Sequence, residues 1–223
     1  MKLAIVVPVY NESKRAVDTI NKILLRTNNL VVVIDDGSKD DSWKCLNSTY
    51  KNNKQVILLK HVINLGKGAA MKTGVTMAWK KKSDGVIFID ADGQHNPEHL
   101  KKFEEALEKC DLVFGFRSLG TEMPTIRRWG NLFSINLIKL LFKLKRKDLL
   151  CGYFGFKRNI YKEIEWLESR YGVETEIACR VGKKQIPFKE VKIDTIYIDK
   201  YKGVTIFDAF KILFKLPYWY FRK

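Results

Sequence analysis

Val86-Ile87-Phe88-Ile89-Asp90-Ala91-Asp92-Gly93-Gln94-His95 is an unbroken apolar run that ends abruptly in two carboxylates, a glycine and an amide. The run reads as a strand buried on both faces, and the acids mark where it leaves the core. Asn96-Pro97-Glu98 follows as a good helix start. The same unit recurs through the first half. Strands are expected at 3–9, 30–34, 56–59, 86–89 and 112–116. Helices are expected around Ala16, Ile20, Ile23 and Leu24, then at 43–50, 67–81 and 97–109. Strands alternating with helices predict right-handed βαβ units and an α/β fold with a mostly parallel central sheet flanked by helices.

Each expected strand runs into polar residues. These are Pro8-Val9-Tyr10-Asn11-Glu12, Asp35-Asp36-Gly37-Ser38, Asn64-Leu65-Gly66-Lys67-Gly68, Asp90 to His95, and Gly115-Phe116-Arg117. In a parallel sheet all of them fall on the carboxyl edge, where ligands of such folds bind. Asp90 and Asp92 can approach one hard cation, with Gln94 adding a neutral oxygen. Mg²⁺ and Mn²⁺ take oxygen ligands and share them with substrate phosphates. Asp36 can accept hydrogen bonds from a base or ribose, or close a turn. Gly66-Lys67-Gly68 allows either a tight turn or a close approach of backbone amides to a nucleotide, with Lys67 neutralising phosphate.

The second half has a different texture. Residues 117–127 read as a loop, 128–145 as an amphipathic helix, 149–156 as an aromatic, glycine-rich segment, 173–183 as a helix and 188–193 as a strand, before an aromatic, basic tail over 205–223. No linker divides the halves, so one domain spanning 1–223 with C-terminal amphipathic helices is expected. Glu176 and Arg180 have the i,i+4 spacing of a helical ion pair. Glu174 and Glu176 are read as structural, and His61 and His99 as surface groups.

Together these motifs resemble family 2 glycosyltransferases of the GT-A fold, most nearly the dolichyl- or polyprenyl-phosphate mannose or glucose synthases. The likeness continues through Gly115-x-Arg117, Pro124-x-x-Arg127-x-x-Gly130-Asn131 and Asp148-x-x-Cys151-Gly152-Tyr153-Phe154. It departs at Cys151, where serine is usual, and at Lys200-Tyr201-Lys202-Gly203-Val204-Thr205-Ile206, where Arg-x-x-Gly-x-Ser-Lys is usual. The resemblance implies an inverting, metal-dependent transfer of a hexose from a GDP-mannose or UDP-glucose type donor to polyprenyl phosphate. Pro8, Tyr10, Asn11, Glu12 and Asp36 would hold base and ribose. Gly66, Lys67, Asp90 and Ala91 would meet the sugar diphosphate. Asp90, Asp92 and Gln94 would hold Mg²⁺ or Mn²⁺. Arg117, Arg127, Arg128, Lys200 and Lys202 would bind the acceptor phosphate, with Asp92, Arg117 and Arg127 as the catalytic set. Residues 1–117 then form the nucleotide-sugar and metal half, and 118–223 the acceptor and membrane half.

Composition fits that division. The 223 residues carry a net charge of +16 and are 46% hydrophobic, which excludes disorder. Residues 1–116 hold 18 basic and 14 acidic groups, whereas 117–223 hold 23 and 11. The surplus of the second half calls for an anionic partner. No nucleic-acid signature accompanies it; cations alternate instead with Leu132, Phe133, Ile138, Leu141 and Phe142, and later with Phe207, Phe210, Phe214, Tyr218, Trp219 and Phe221. That pattern suits a lipid headgroup interface. No run reaches the roughly 18 apolar residues of a membrane span, and the amino terminus reads as a strand rather than a signal peptide. Four scattered cysteines predict free thiols in a reducing compartment. A peripheral protein on the cytoplasmic membrane face is therefore expected, with room for a membrane-spanning partner subunit. His95-Asn96-Pro97-Glu98-His99 spells a zinc-peptidase pattern, but Pro97 at the helix start keeps His95 off the helical face such a site requires. Arg127-Arg128-Trp129 resembles the Gln-x-x-Arg-Trp of polysaccharide synthases, yet Thr125 stands in the first position and no Glu-Asp pair precedes it.

Overall fold

The computed structural model describes residues 1–117, 135–170, 172–194 and 206–221, with the backbone alone over 206–213. The described strands are β1 (Leu3–Val9), β2 (Leu30–Asp35), β3 (Val56–Lys60), β4 (Gly85–Phe88), β5 (Leu112–Arg117), β6 (Phe154–Lys157) and β7 (Lys189–Ile193). They form one sheet in the order β3-β2-β1-β4-β6-β5-β7. The helices are α1 (Ser13–Leu24), α2 (Ser42–Tyr50), α3 (Lys67–Lys80), α4 (Leu100–Lys109, preceded by a 3₁₀ turn at Pro97–His99), α5 (residues 135–142), α6 (Tyr161–Ile164), α7 (Val173–Lys184) and α8 (Ile206–Phe221).

The expected strands fall within one residue of these bounds; the runs of β1, β2 and β4 are buried on both faces, and the edge strands β3 and β7 only in part. Ala4 and Val6 of β1 with Val32 and Ile34 of β2 face α3, in the apolar layer that α7 and α8 extend. Ile5, Val7, Val31 and Val33 face α1, α2 and α4. Two apolar layers thus sandwich the sheet.

β6 was not legible. Its four residues, Phe154-Gly155-Phe156-Lys157, are too few to show a period, and glycine is a poor strand former. Gly155 is needed there, since a Cβ would lie 2.8 Å from the Val86 carbonyl oxygen. β6 inserts antiparallel between β4 and β5, pairing Phe154 with both Phe88 and Phe114. Its antiparallel course brings residues 148–153 in at the carboxyl edge of the parallel strands. Sequence order alone would have placed β5 beside β4.

The reading of His99 as a surface group is corrected. The residue is 6% exposed, its Nε2 accepts the Asp194 backbone N–H at 3.0 Å, and burial holds its pKa below the usual imidazole value. Among the described residues, no helix is long and apolar enough to cross a membrane.

α3 crosses the sheet at Gly74, where a Cβ would lie 2.3 Å from Val6 Cγ1 and 2.9 Å from Ile34 Cδ1. Both neighbours are buried, and the nearer one, Val6 Cγ1, is held by the stiff χ1 of a β-branched residue. Gly74→Ala should therefore cost about 1–3 kcal/mol through overpacking, less the roughly 1 kcal/mol that alanine gains in helix propensity, for a net destabilisation approaching about 2 kcal/mol. Urea denaturation checks this; a variant as stable as the parent would show that α3 can lift off the sheet at little cost.

Candidate active site

At the carboxyl edge, the Lys67 ammonium at the first residue of α3 lies 2.6 Å from Asp90 Oδ1 and 2.7 Å from Glu174 Oε1. Burial works against the charge on Lys67, but the two carboxylates outweigh it and hold its pKa above the ordinary lysine value. Gly152, two residues before β6, closes the slot: a Cβ there would lie 2.4 Å from Asp90 Oδ2 and 2.6 Å from Lys67 Nζ. Glu174 was read as structural; the structure places it in this site, in the first turn of α7. The residue carried no sequence signal beyond being an acid at a helix start.

Burial raises the Asp90 pKa, but Lys67, His95 and Arg117 overcome it and hold the carboxyl below the usual range. Asp92 moves the other way, pushed up by burial and then by the Asp90 charge. Its Oδ1 accepts the Gln94 backbone N–H at 2.9 Å. Asp90 has its counter-charge in Lys67, whereas Asp92 is the carboxylate that would gain from a further cation. Among the described residues no three acidic, imidazole or thiol groups converge as a metal cage. A carboxylate pair with a nearby amide fits Mg²⁺ or Mn²⁺, which use one or two carboxylates and complete their shell with water and substrate phosphate. Ala91 is buried, its carbonyl accepting from Thr19 Oγ1 at 3.3 Å.

His95, the last residue of the Asp90 to His95 stretch expected at this edge, belongs to this cluster. Burial, only partly offset by Asp90 and Asp92, holds its pKa below the usual value. Its Nδ1 accepts the Asp90 backbone N–H at 3.4 Å. The ring packs against Tyr153 with centroids 5.5 Å apart.

Arg117 ends β5. Its Nε and Nη2 donate to Asp148 Oδ2 and Oδ1 at 2.6 and 3.0 Å, and its backbone N–H donates to the same carboxylate at 3.2 Å. The arginine expected at an acceptor phosphate is thus clasped by a buried acid, while its charge still acts on Asp90 and His95. The signal was present, since Asp148 opens the motif carried by the family resemblance. Arg127, Arg128, Lys200 and Lys202 lie outside the described residues.

Around the first two strands, Asn11 cross-links the loops, receiving Lys39 N–H at Oδ1 (2.9 Å) and donating its own N–H to Ser38 (3.0 Å). Glu12 N–H donates to Ser42 Oγ at 2.9 Å. Tyr10 is exposed and Pro8 is half-buried. Asp36 turns inward: its carboxylate takes the backbone N–H groups of Leu65 and Gly66 at 3.0 and 2.7 Å and lies 2.7 Å from His61 Nδ1. His61 in turn reaches Thr73 Oγ1 at 2.9 Å, so it is not the surface group expected. Its side chain is 11% exposed.

The two glycines beside Lys67 make room for protein backbone. A Cβ on Gly66 would lie 2.3 Å from the Ser169 carbonyl oxygen, and one on Gly68 2.0 Å from that of Glu168. Trp166 Nε1 donates to the Gly68 carbonyl at 2.9 Å, and Ala69 N–H donates to Ser169 at 3.1 Å. Glu176 secures this segment from below, accepting Leu167 and Glu168 N–H groups at 3.0 and 2.7 Å. It also takes Arg180 at 2.9 Å, the ion pair its spacing predicts.

The profile of "Glycosyl transferase family 2" matches residues 4–165. This chain belongs to glycosyl transferase family 2. The family 2 enzyme is 29% identical over 234 residues to the UDP-N-acetylglucosamine–dolichyl-phosphate N-acetylglucosaminyltransferase of Methanococcus voltae, covering 95% of this chain and 93% of that one. It is 27% identical over 205 residues to the undecaprenyl-phosphate mannosyltransferase of Micrococcus luteus, covering 86% and 83%. The fold matches glucosyl-3-phosphoglycerate synthase from Mycobacterium tuberculosis, solved with Mn²⁺, uridine diphosphate and phosphoglyceric acid, at a TM-score of 0.73 and 18% identity, covering 100% of this chain and 79% of that one.

The Arg117–Asp148 clasp should set an acid limit on the stability of this glycosyltransferase. Burial pushes the Asp148 pKa up, but Arg117 and the backbone N–H groups outweigh it and hold the carboxyl below its usual range. A depressed folded-state pKa gives stability that is complete above the unfolded value of about 3.9 and is lost as pH falls through the lower folded value. Asp148→Asn should cost about 3 kcal/mol at neutral pH, and its gap from the parent should shrink only as pH falls below about 4. Urea denaturation between neutral pH and acid measures both; a gap independent of pH would remove the charge on Asp148 from the account.

Proposed function

We propose that this enzyme transfers a hexose from a nucleoside diphosphate sugar of the GDP-mannose or UDP-glucose type to a polyprenyl or dolichyl phosphate, inverting the anomeric centre at a membrane surface. The observation that carries the reading is the Lys67–Asp90 ion pair at 2.6 Å, with Asp92 two residues on, at the sheet edge where β5 ends in Arg117. Family membership supplies the reaction class, and the lipid phosphates named in both curated relatives supply the acceptor class.

Tyr10, Asn11 and Glu12 with Pro8 would receive the base and ribose at the exposed end of β1, with Asp36 fixing the neighbouring loop. Gly66, Lys67, Asp90 and Ala91 would line the diphosphate. A divalent cation held by Asp90, Asp92 and Gln94 would supply Lewis-acid stabilisation of the charge on the departing diphosphate. Lys67 adds a second positive charge to the same region, in a shielded setting where it acts more strongly than in water. A phosphate monoester is already anionic near neutral pH, its second pKa being about 6, so it needs orientation rather than a base. Arg117, held rigid by Asp148, offers that orientation, together with Arg127, Arg128, Lys200 and Lys202. Residues 1–117 would thus serve donor and metal, and 118–223 the acceptor and membrane.

A second reading, transfer to a hydroxyl, requires a general base; Glu174 is the acid that favours it, being beside Lys67 in the site.

With Mn²⁺ present, GDP or UDP and the matching sugar nucleotide should raise the melting temperature, and Asp92→Asn should abolish most of that rise. Sugar transfer to a short polyprenyl phosphate should then fall at least tenfold in kcat/KM in the Arg117→Ala/Arg127→Ala double variant. If none of these nucleotides stabilises the protein, the donor class is wrong. Transfer to a glycan hydroxyl, lost in Glu174→Gln and absent with polyprenyl phosphate, would establish the second reading.

Membrane contact rests on α5 and α8, which pack through Phe142 and Tyr220. Leu140, Phe214 and Phe221 are exposed at 78%, 84% and 79%, beside exposed Lys139, Lys143 and Lys215. Apolar groups flanked by cations suit an anionic lipid interface. Phe214→Glu/Phe221→Glu should cut co-sedimentation with phosphatidylglycerol vesicles severalfold at low salt without changing the fold by circular dichroism. Undiminished binding would exclude this face.

A further inference from the structure

Lys67 is held in a way that a simple phosphate ligand would not require. Its ammonium bridges Asp90 and Glu174 at 2.6 and 2.7 Å, and the Gly152 backbone presses against both Lys67 and Asp90. The cation that Asp90 needs is therefore already part of the chain. A divalent cation arriving at Asp90 meets an ammonium already at hydrogen-bond distance from one of the two carboxylate oxygens. Glu174 comes from a different element, α7, so its contact with Lys67 is made independently of the loop that carries Asp90.

We propose that Lys67 is the site's resident counter-ion, competing with the divalent cation for Asp90 in the nucleotide-free enzyme and, anchored by Glu174, passing to the donor diphosphate when cation and nucleotide arrive together. This rests on the nucleotide-sugar reading of the site. Its consequence is a coupling. Metal alone binds weakly because it must displace an ammonium; the nucleotide gives that ammonium a new anionic partner and so admits the metal. Each ligand then strengthens the other by the same factor.

Mn²⁺ binding to the full chain without nucleotide, read as loss of the free-ion signal in electron paramagnetic resonance, tests the competition directly. Lys67→Met should bind Mn²⁺ about tenfold or more tightly than the parent, since one positive charge beside the ligand is gone. An unchanged or weaker affinity, including no binding by either protein, overturns the proposal. Should Lys67→Met not fold, the parent alone decides. UDP or GDP should tighten its Mn²⁺ binding at least tenfold, and tight Mn²⁺ binding that is indifferent to nucleotide overturns the proposal. The Lys67→Met comparison needs no nucleotide, so failure of every nucleotide to stabilise the protein condemns the donor assignment while this comparison still decides the competition for Asp90.

Discussion

An ammonium held between carboxylates from opposite halves of the chain organises this molecule. Asp90 stands at the end of β4 and Glu174 in the first turn of α7, and Lys67 closes the gap between them. Charges in a shielded site attract more strongly than they would in water, and an unpaired one there would be costly. The bridge therefore holds only if the start of α3 is held too. Asp36 fixes it from one side through the Leu65 and Gly66 N–H groups. The 166–170 segment fixes it from the other through Trp166 and Ser169, and Glu176 fixes that segment in turn. Loops distant in sequence are thus needed to place one lysine nitrogen.

This explains what could be read in advance and what could not. The strands 3–9 and 30–34 were legible because burial on both faces leaves an unbroken apolar run, and their carboxyl edge followed from parallel topology. Asp90 and Asp92 were legible because they sit where such a run stops, and Lys67 because glycines flank it at the start of the next helix. β6 was hidden because its identity depends on what lies on either side of it, namely Val86 and Leu112, both opposite Phe156. The glycines flanking Lys67 allow either a tight turn or a ligand's approach; what a side chain there would meet is the backbone of Glu168 and Ser169. A glycine records only that something comes near; the fold decides what. His61 and His99 went astray for a similar reason, since their burial depends on Asp36 with Thr73 and on Asp194, partners no local pattern links to them.

The charge imbalance also divides once geometry is known. Part of the second half's basic surplus is internal: Arg146 is buried, its guanidinium 3.7 Å above the Phe114 ring, and Arg180 is tied to Glu176. Lys139, Lys143, Lys145 and Lys147 are exposed on and just after α5. Only the exposed fraction can attract a partner at a distance, and its neighbours are the uncovered apolar side chains of α5 and α8. A purely electrostatic nucleic-acid surface has no use for Leu140 or Phe214 facing water, whereas a lipid interface uses both.

Glu174 and Glu176 show how little separates a site residue from a structural one. Both stand in the first turn of α7, where the helix dipole favours acids. Two residues along a helix turn the side chain by roughly 200°, so one carboxylate faces Lys67 and the other faces the 166–168 backbone. Sequence could predict the Arg180 pair from its spacing, because that contact lies along the helix. It could not assign the remaining direction, because that depends on how α7 is rotated against the sheet. The rotation is set by apolar burial: Val173, Ile177 and Val181, each fully buried, lie on one stripe of α7. Packing of that stripe fixes which acid meets the lysine, so the chemistry of the site is decided by hydrophobic contacts that touch no ligand.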